Sequence, residues 1–230
     1  ADVVILDDAN RILVEQGLRR IRAGKGSPGL RALLREAGRD PAKVVAADLG
    51  FAAGPRLNAA GRLTDMSHGI ECLLADSEEQ ARRFAEELDT INRERRGIEQ
   101  GMRDAAMLEV ARLRERELPA ALCLHGPDWH EGVVGILASR VKESVHRPVI
   151  AFAPAREKGM LKGSGRSIPG LPLRDVLAAV ATAPPEMLPK FGRPAMAAGM
   201  PLRAAHLPAL PDAFQAAVAA GPGADPCHEV

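Results

Sequence analysis

Aromatic residues are scarce in this chain: there is no tyrosine, one tryptophan and five phenylalanines among 230 residues. Proteins that grip unstacked bases need exposed rings on which those bases lie. Any nucleic-acid contact here therefore falls mainly to the phosphate backbone. Cysteine is nearly as rare. Cys72, Cys123 and Cys227 form no CxxC pair and no zinc spacing, and an odd, scattered set suits a reduced cytosolic protein rather than a disulfide scaffold. No apolar run approaches the roughly 18 residues of a membrane span, and no basic-then-apolar segment opens the chain, so the expectation is a cytoplasmic protein with no membrane partner. Excess charge of one sign is also missing: the net charge of +1 excludes a global field for polyanions. A complete metal cluster is lacking too. Two-metal hydrolysis requires several carboxylates and histidines around ions roughly 3.5–4 Å apart, whereas Asp2 is a lone carboxylate at a strand end and Asp7 and Asp8 read as helix caps.

What is present is a clear two-part pattern. Residues 8–23 carry an amphipathic helix with Ile12, Leu13, Leu18 and Ile21 on its apolar face. Ser27-Pro28 opens a second helix that Gly38 closes, and Asp40-Pro41 signals a third. Between Arg11 and Arg39 eight Lys/Arg stand against two acids, Glu15 and Glu36. That local balance of +6 reads either as an anion-binding surface or as a solvated helical face. Ser67 to Ala75 makes a short helix. No proline interrupts Ser77 to Glu117, where Phe84, Leu88, Ile91, Ile98, Met102, Ala105 and Leu108 recur at helical spacing and Arg95 interrupts the seam. The reading is one helix of roughly 40 residues, about 60 Å long at 1.5 Å per residue, bridging two domains rather than pairing as a coiled coil. Beyond Pro119, strands at 121–124, 149–152, 160–168 (broken by glycines) and 195–202 alternate with helices at 132–145, 173–181 and 207–220, the pattern of a small α/β domain.

Four segments bear chemistry. In Gly54-Pro55-Arg56-Leu57-Asn58-Ala59-Ala60-Gly61-Arg62 two arginines and an asparagine sit among small residues. The segment reads as a loop, either facing an anion through planar guanidinium forks or pairing its arginines with nearby carboxylates. Gly163-Ser164-Gly165-Arg166-Ser167 offers glycine backbone N–H groups, a hydroxyl and a charged fork to an anion; a glycine-rich strand turn is the plain alternative. Trp129-His130-Glu131-Gly132 precedes an apolar helix, where His130 either orients an anion at the helix start or caps it. Phe191-Gly192-Arg193-Pro194 is a further glycine-bearing turn, with Arg193 facing a ligand or water.

These segments, in register along nearly the whole chain, resemble the RecJ exonucleases of the DHH phosphoesterase superfamily. The resemblance runs through Ala1-Asp2-Val3-Val4, Asn10-Arg11-Ile12-Leu13-Val14, the 54–62 segment, Asp65-Met66-Ser67 with Glu71-Cys72-Leu73-Leu74, Asn92-Arg93-Glu94-Arg95-Arg96, Trp129 to Ile136, Gly163 to Ser167 and Ala195-Met196-Ala197-Ala198-Gly199. It implies an α/β fold in four parts. These are the C-terminal part of a DHH catalytic domain (1–75), a connector helix (76–117), a DHH-associated α/β domain with a mixed sheet (118–222) and a linker (223–230) towards an OB-fold. It further implies 5′-to-3′ hydrolysis of single-stranded DNA in repair and recombination, with two manganese or magnesium ions in the complete enzyme. Asp2 corresponds to a metal-binding catalytic aspartate; Arg56, Asn58, Arg62, His130, Gly165, Arg166, Ser167 and Arg193 correspond to nucleic-acid or phosphate contacts. Implied partners are single-stranded DNA and a single-strand-binding protein or helicase, with the chain a monomer.

The chain opens as a buried strand without an initiator Met and stops at Val230 with no closing element. The expectation is a fragment that binds DNA backbone, holds no metal stably and is inactive alone. It also departs from the family pattern: Gly192, Arg193 and Pro194 stand where Gly-Gly-His is usual, Pro172 stands in place of a histidine, and Ile5 in place of a proline. The alternatives are a phosphodiesterase of the same superfamily acting on short oligonucleotides or cyclic dinucleotides, and a non-catalytic nucleic-acid-binding module.

Overall fold

The computed structural model describes residues 7–181, 188 and 196–220. The chain forms two compact units, Ala1–Gly97 and Ile98–Val230, whose boundary falls inside one long helix.

The first unit is helical. α1 (Asp8–Arg22) starts where the Asp7 carboxylate accepts from the Asn10 N–H at 2.8 Å. α2 (Pro28–Glu36) has Ser27 as its cap and Pro28 at the position where a missing N–H costs nothing. Gly38, at φ +69°, makes the left-handed exit. The third helix expected after Asp40-Pro41 is only a 3₁₀ turn, Pro41–Lys43. The apolar face of α1 is also narrower than its pattern suggests: Leu18 and Ile21 are buried, but Ile12 and Leu13 are exposed.

A larger correction concerns residues 54–62. They do not form a loop. A short α3 (Ala46–Asp48) runs through a π turn (Leu49–Ala53) into α4 (Gly54–Leu63). Pro55 is the reason for the π turn. In a regular helix its ring would collide with the carbonyl four residues back; here the Gly54 N–H reaches the Leu49 carbonyl five residues back, and the wider turn makes room. α5 (Ser67–Leu74) follows, with the Asp65 carboxylate held below the usual range by the Ser67 hydroxyl and then the Ser67 N–H. α2 and α5 touch backbone to backbone: a Cβ on Gly29 would lie 1.7 Å from the Cys72 carbonyl oxygen.

α6 (Glu78–Arg114) is the expected long helix, with Ser77 accepting from the Gln80 N–H. Its buried stripe differs from the expected one. Ala81, Ala85, Leu88, Met102, Ala106 and Val110 are buried, and Leu108 is 66% exposed. Asp89, Asn92 and Arg95 are buried within the stripe, so Arg95 is part of the packed face rather than a break in it.

The second unit carries a four-stranded mixed sheet in the order β1-β2-β3-β4. β1 (Leu122–His125) runs parallel to β2 (Val149–Pro154), and α7 (Val134–Val145) makes the crossover. β3 (Met160–Arg166) and β4 (Ala197–Arg203) add on antiparallel. β3 is continuous across its glycines. Alternation along it sends Leu161, Gly163 and Gly165 to one face and Ser164 and Arg166 to the other. The first face meets α8 (Leu173–Ala181) and α9 (Leu210–Ala219), around Phe152, Leu173, Leu177, Met200, Leu210 and Phe214. The second meets α7. A 3₁₀ turn, Ala204–Ala209, occupies the start of the expected last helix, which begins properly at Leu210. No helix among the described residues is long and apolar enough to cross a membrane.

Candidate nucleic-acid interface

In the second unit the central side chain is Arg166, at the end of β3 on the face that α7 covers. Its Nε donates to the Ser139 hydroxyl at 3.0 Å, and its Nη1 donates to the Ser164 hydroxyl and the Gly165 carbonyl, both at 2.8 Å. Ser139 in turn donates to the Gly135 carbonyl at 3.1 Å. The guanidinium plane is therefore oriented by partners on two elements, α7 and β3. It lies against the first turn of α7, where a Cβ on Gly135 would be 3.1 Å from Nη2, so glycine is what admits it. A helix N-terminus carries partial positive charge. Two positive groups lie side by side here, and both favour an anion placed against them.

The neighbours of Arg166 have other work. Gly163 and Gly165 lie inside a strand paired on both sides. A Cβ at Gly163 would be 2.3 Å from the Phe152 ring and one at Gly165 2.7 Å from Leu173; both are glycines because core side chains fill that space, not because a ligand approaches. Ser167 is buried, and its hydroxyl donates to the Leu171 carbonyl while its N–H donates to the Met196 carbonyl. His130 accepts the Gly132 N–H on Nδ1 at 3.1 Å, and its carbonyl accepts from Val133 and Val134: it organises the turn into α7. On the same sheet face as Arg166, Lys162 meets Glu131 at 3.7 Å, and Arg156 meets the same carboxylate at 3.3 Å. His125, at the end of β1, is held below its ordinary pKa by burial, which favours its neutral form.

In the first unit Arg56 lies on α4, 9% exposed. Its Nη2 meets the Asp89 carboxylate at 2.7 Å and its Nη1 donates to the Ala52 carbonyl, in the π turn, at 2.9 Å. The other oxygen of Asp89 holds Arg93 at 2.8 Å. Beside them Arg95 donates to Asn92 Oδ1, and Asn92 is wholly buried. Arg56 is thus an internal strut, the carboxylate-pairing alternative for this segment. Asn58 is exposed on α4 and Arg62 half-buried. The basic stretch at 11–39 is likewise engaged by the fold. Arg19 pairs with Glu15, Arg31 and Arg35 with Glu78, and Arg39 with Asp48, while Arg22 donates to the Val44 carbonyl. Two acids beyond the stretch, Glu78 and Asp48, offset part of its charge.

Asp2 and Arg193 lie outside the described residues. Among the described residues no group of three or more His, Cys, Asp or Glu side chains could hold a metal ion. They do not supply a donor set for the two ions. Sequence reasoning missed Ser139, Gly135, Asp89 and Arg93. A signal existed for each pair: small residues four apart on α7 leave a slot for a long side chain, and Asp89 stands at helical spacing with Ala81, Ala85 and Asn92.

Comparison with known proteins gives a consistent picture. Residues 113–220 match the DHHA1 domain family. The chain is 60% identical over 204 residues to the single-stranded-DNA-specific exonuclease RecJ of Dickeya dadantii (strain 3937), covering 88% of this chain and 35% of that protein. It is similar to RecJ from Thermus thermophilus, solved in complex with Mg2+, with a TM-score of 0.80 and 32% identity over 96% of this chain and 33% of that one. The same protein in complex with Mn2+ gives a TM-score of 0.77 and 32% identity, covering 93% and 30%. The chain spans about a third of the length of these relatives.

Proposed function

This chain belongs to the RecJ family, and from that membership we propose that it is the strand-holding part of a 5′-to-3′ single-stranded-DNA exonuclease acting in the cytoplasm as a monomer. In this reading residues 1–75 close a DHH catalytic domain, α6 is the connector, and 118–222 are the DHH-associated domain that grips the backbone. Metal-dependent hydrolysis belongs to the complete enzyme, whose ions, manganese or magnesium, activate water and stabilise the phosphoryl transition state. The role of this chain's own residues is to bind and orient.

One observation carries the reading: the Arg166 guanidinium, fixed by Ser139 and Ser164 against the first turn of α7. A backbone phosphate seated there meets a planar fork and a helix N-terminus together. Arg166 acts directly on the phosphate; Ser139 and Ser164 set its plane. Ser167, Gly165 and His130 support the same strand and turn from within. The scarcity of aromatic rings agrees with a grip on phosphate rather than on bases.

The test is binding of a 5′-phosphorylated oligothymidine, followed by fluorescence anisotropy. A charge-assisted hydrogen bond contributes about 1.5–3 kcal/mol, so Arg166→Ala weakens binding about 10- to 100-fold, and Arg166→Lys recovers part of the loss. Equal affinities for Arg166→Ala and wild type would remove the site. The chain alone is expected to show no manganese-dependent nuclease activity; robust turnover would overturn the division of labour proposed here.

A further inference from the structure

In the first unit the arginine that turns its terminal donors to solvent is not Arg56 of the 54–62 motif. A guanidinium has five N–H donors. Arg56 has its terminal nitrogens on the Ala52 carbonyl and the Asp89 carboxylate, with the Glu36 carbonyl at 3.5 Å as a weak third acceptor, and its Nε is buried. It has little left to offer a ligand. Arg93 is the reverse case. Asp89 gives one oxygen to Arg56 and the other to Arg93 Nε, so the carboxylate steadies Arg93 through one nitrogen and leaves its terminal amino groups on a side chain 68% exposed. Formally, two guanidinium charges share one carboxylate, and the excess charge sits at the solvent-facing member. Arg96, exposed one turn further along α6, adds a second positive charge at (i, i+3) spacing. At Gly97, (i, i+4) from Arg93, an added Cβ would meet nothing within 4 Å, so the helix surface beside Arg93 is open to an approaching backbone.

We propose that Arg93, steadied by Asp89, is a phosphate-binding residue for single-stranded DNA on the first unit. The proposal rests on the reading that this chain holds such a strand. Arg56 then has an indirect part: it shares the carboxylate that orients Arg93. The contact is to backbone, through a fork with two terminal nitrogens available, and carries no base preference.

Salt dependence separates this contact from a structural role. Removing one phosphate-binding charge from a single-strand complex lowers the slope of log K against log[salt] by about 0.7, which is about fivefold in affinity at 0.1 M salt. Binding of a 5′-phosphorylated oligothymidine is titrated with NaCl for the wild type, Arg93→Ala, Arg93→Lys and Arg20→Ala. The last removes the same charge from an exposed position on α1. Expected are a slope reduced by about 0.7 for Arg93→Ala, a slope kept by Arg93→Lys, and no change for Arg20→Ala. The melting temperature of Arg93→Ala stays near wild type, because Asp89 keeps Arg56. An unchanged slope in Arg93→Ala overturns the assignment while the strand-holding reading stands. Equal losses in Arg93→Ala and Arg20→Ala also overturn it, by reducing the effect to net charge. Failure of the wild type to bind the strand removes both.

Discussion

Removing the carboxylate of Asp89 should be among the most damaging single changes in the first unit. Asp89 is 7% exposed and Arg56 9% exposed, and they meet at 2.7 Å. In Asp89→Ala the guanidinium of Arg56 stays buried with the Ala52 carbonyl as its one close acceptor. Leaving one member of a buried pair without the other costs about 3–5 kcal/mol. Removing the exposed pairing with Arg93 adds at most about 1 kcal/mol. In a unit of under a hundred residues each kcal/mol moves the midpoint by about 4–8 °C, so the transition of this unit should fall by roughly 12 °C or more. Thermal and urea melts followed by circular dichroism measure it, fitted for two transitions because the two units need not unfold together. The decisive comparison is the double variant Arg56→Leu/Asp89→Ala. Removing both charges takes away the uncompensated ion, and such replacements are often neutral or stabilising, so the double variant should recover at least half of the loss. A double variant as unstable as Asp89→Ala would refute the charge argument and point to a cavity instead.

Three further outcomes follow from local geometry. Gly29→Ala should destabilise by about 3 kcal/mol or more, at the upper end of overpacking costs, because its Cβ would press on the Cys72 carbonyl at 1.7 Å; Gly97→Ala, in open space, should instead raise stability by about 1 kcal/mol through helix propensity, and denaturant melts compare the two. His146 ends α7 in the left-handed region at φ 51°, so His146→Gly should stabilise by about 1 kcal/mol, read as a higher urea midpoint. Burial pushes the Cys72 thiol up to about 11 and the Cys123 thiol up to about 12, from 9.0. Both thiols are neutral in the fold, so their contribution to stability is complete below pH 9 and is lost as the pH rises from 9 through those values; neither should react with a thiol reagent at pH 8 until the chain unfolds, and peptide mapping checks it.

The sequence pattern located α1, α2, α5, α6, α8 and the sheet because each is written in local terms: a cap, a proline at the first turn, a period of 3.6 or of 2. It failed at residues 54–62 for an identifiable reason. Gly54-Pro55 reads as a helix breaker, and only a π turn, which depends on how the whole segment packs, lets the helix pass through it. It also misplaced the second half of the α6 stripe. Ala105 and Ala106 are indistinguishable as letters, and the stripe turns on which of them meets the core. The elements of the mixed sheet were visible, but their order was not, since strand pairing is a tertiary fact.

The same distinction governs the site. Residue type pointed to arginines among glycines, but not to which arginine is taken by the fold. Arg56 and Arg166 look alike in the sequence, each beside glycine and small residues. Their partners differ in kind. Arg56 meets a carboxylate and main-chain carbonyls in a nearly closed pocket, so its charge is neutralised where it stands. Among the contacts that hold Arg166 are two hydroxyls and a carbonyl beside a helix start, which orient its guanidinium there. Glycine supports both arrangements through space rather than flexibility: Gly135 admits a guanidinium, while Gly163 and Gly165 admit Phe152 and Leu173. A glycine-and-arginine segment therefore identifies a place where polar atoms meet tight packing, and the acceptors of each guanidinium decide whether that place binds a ligand or braces the fold. The proposed grip on a strand assigns the phosphate contact to Arg166 in one unit and to Arg93 in the other, with Arg56 sharing the carboxylate that holds Arg93.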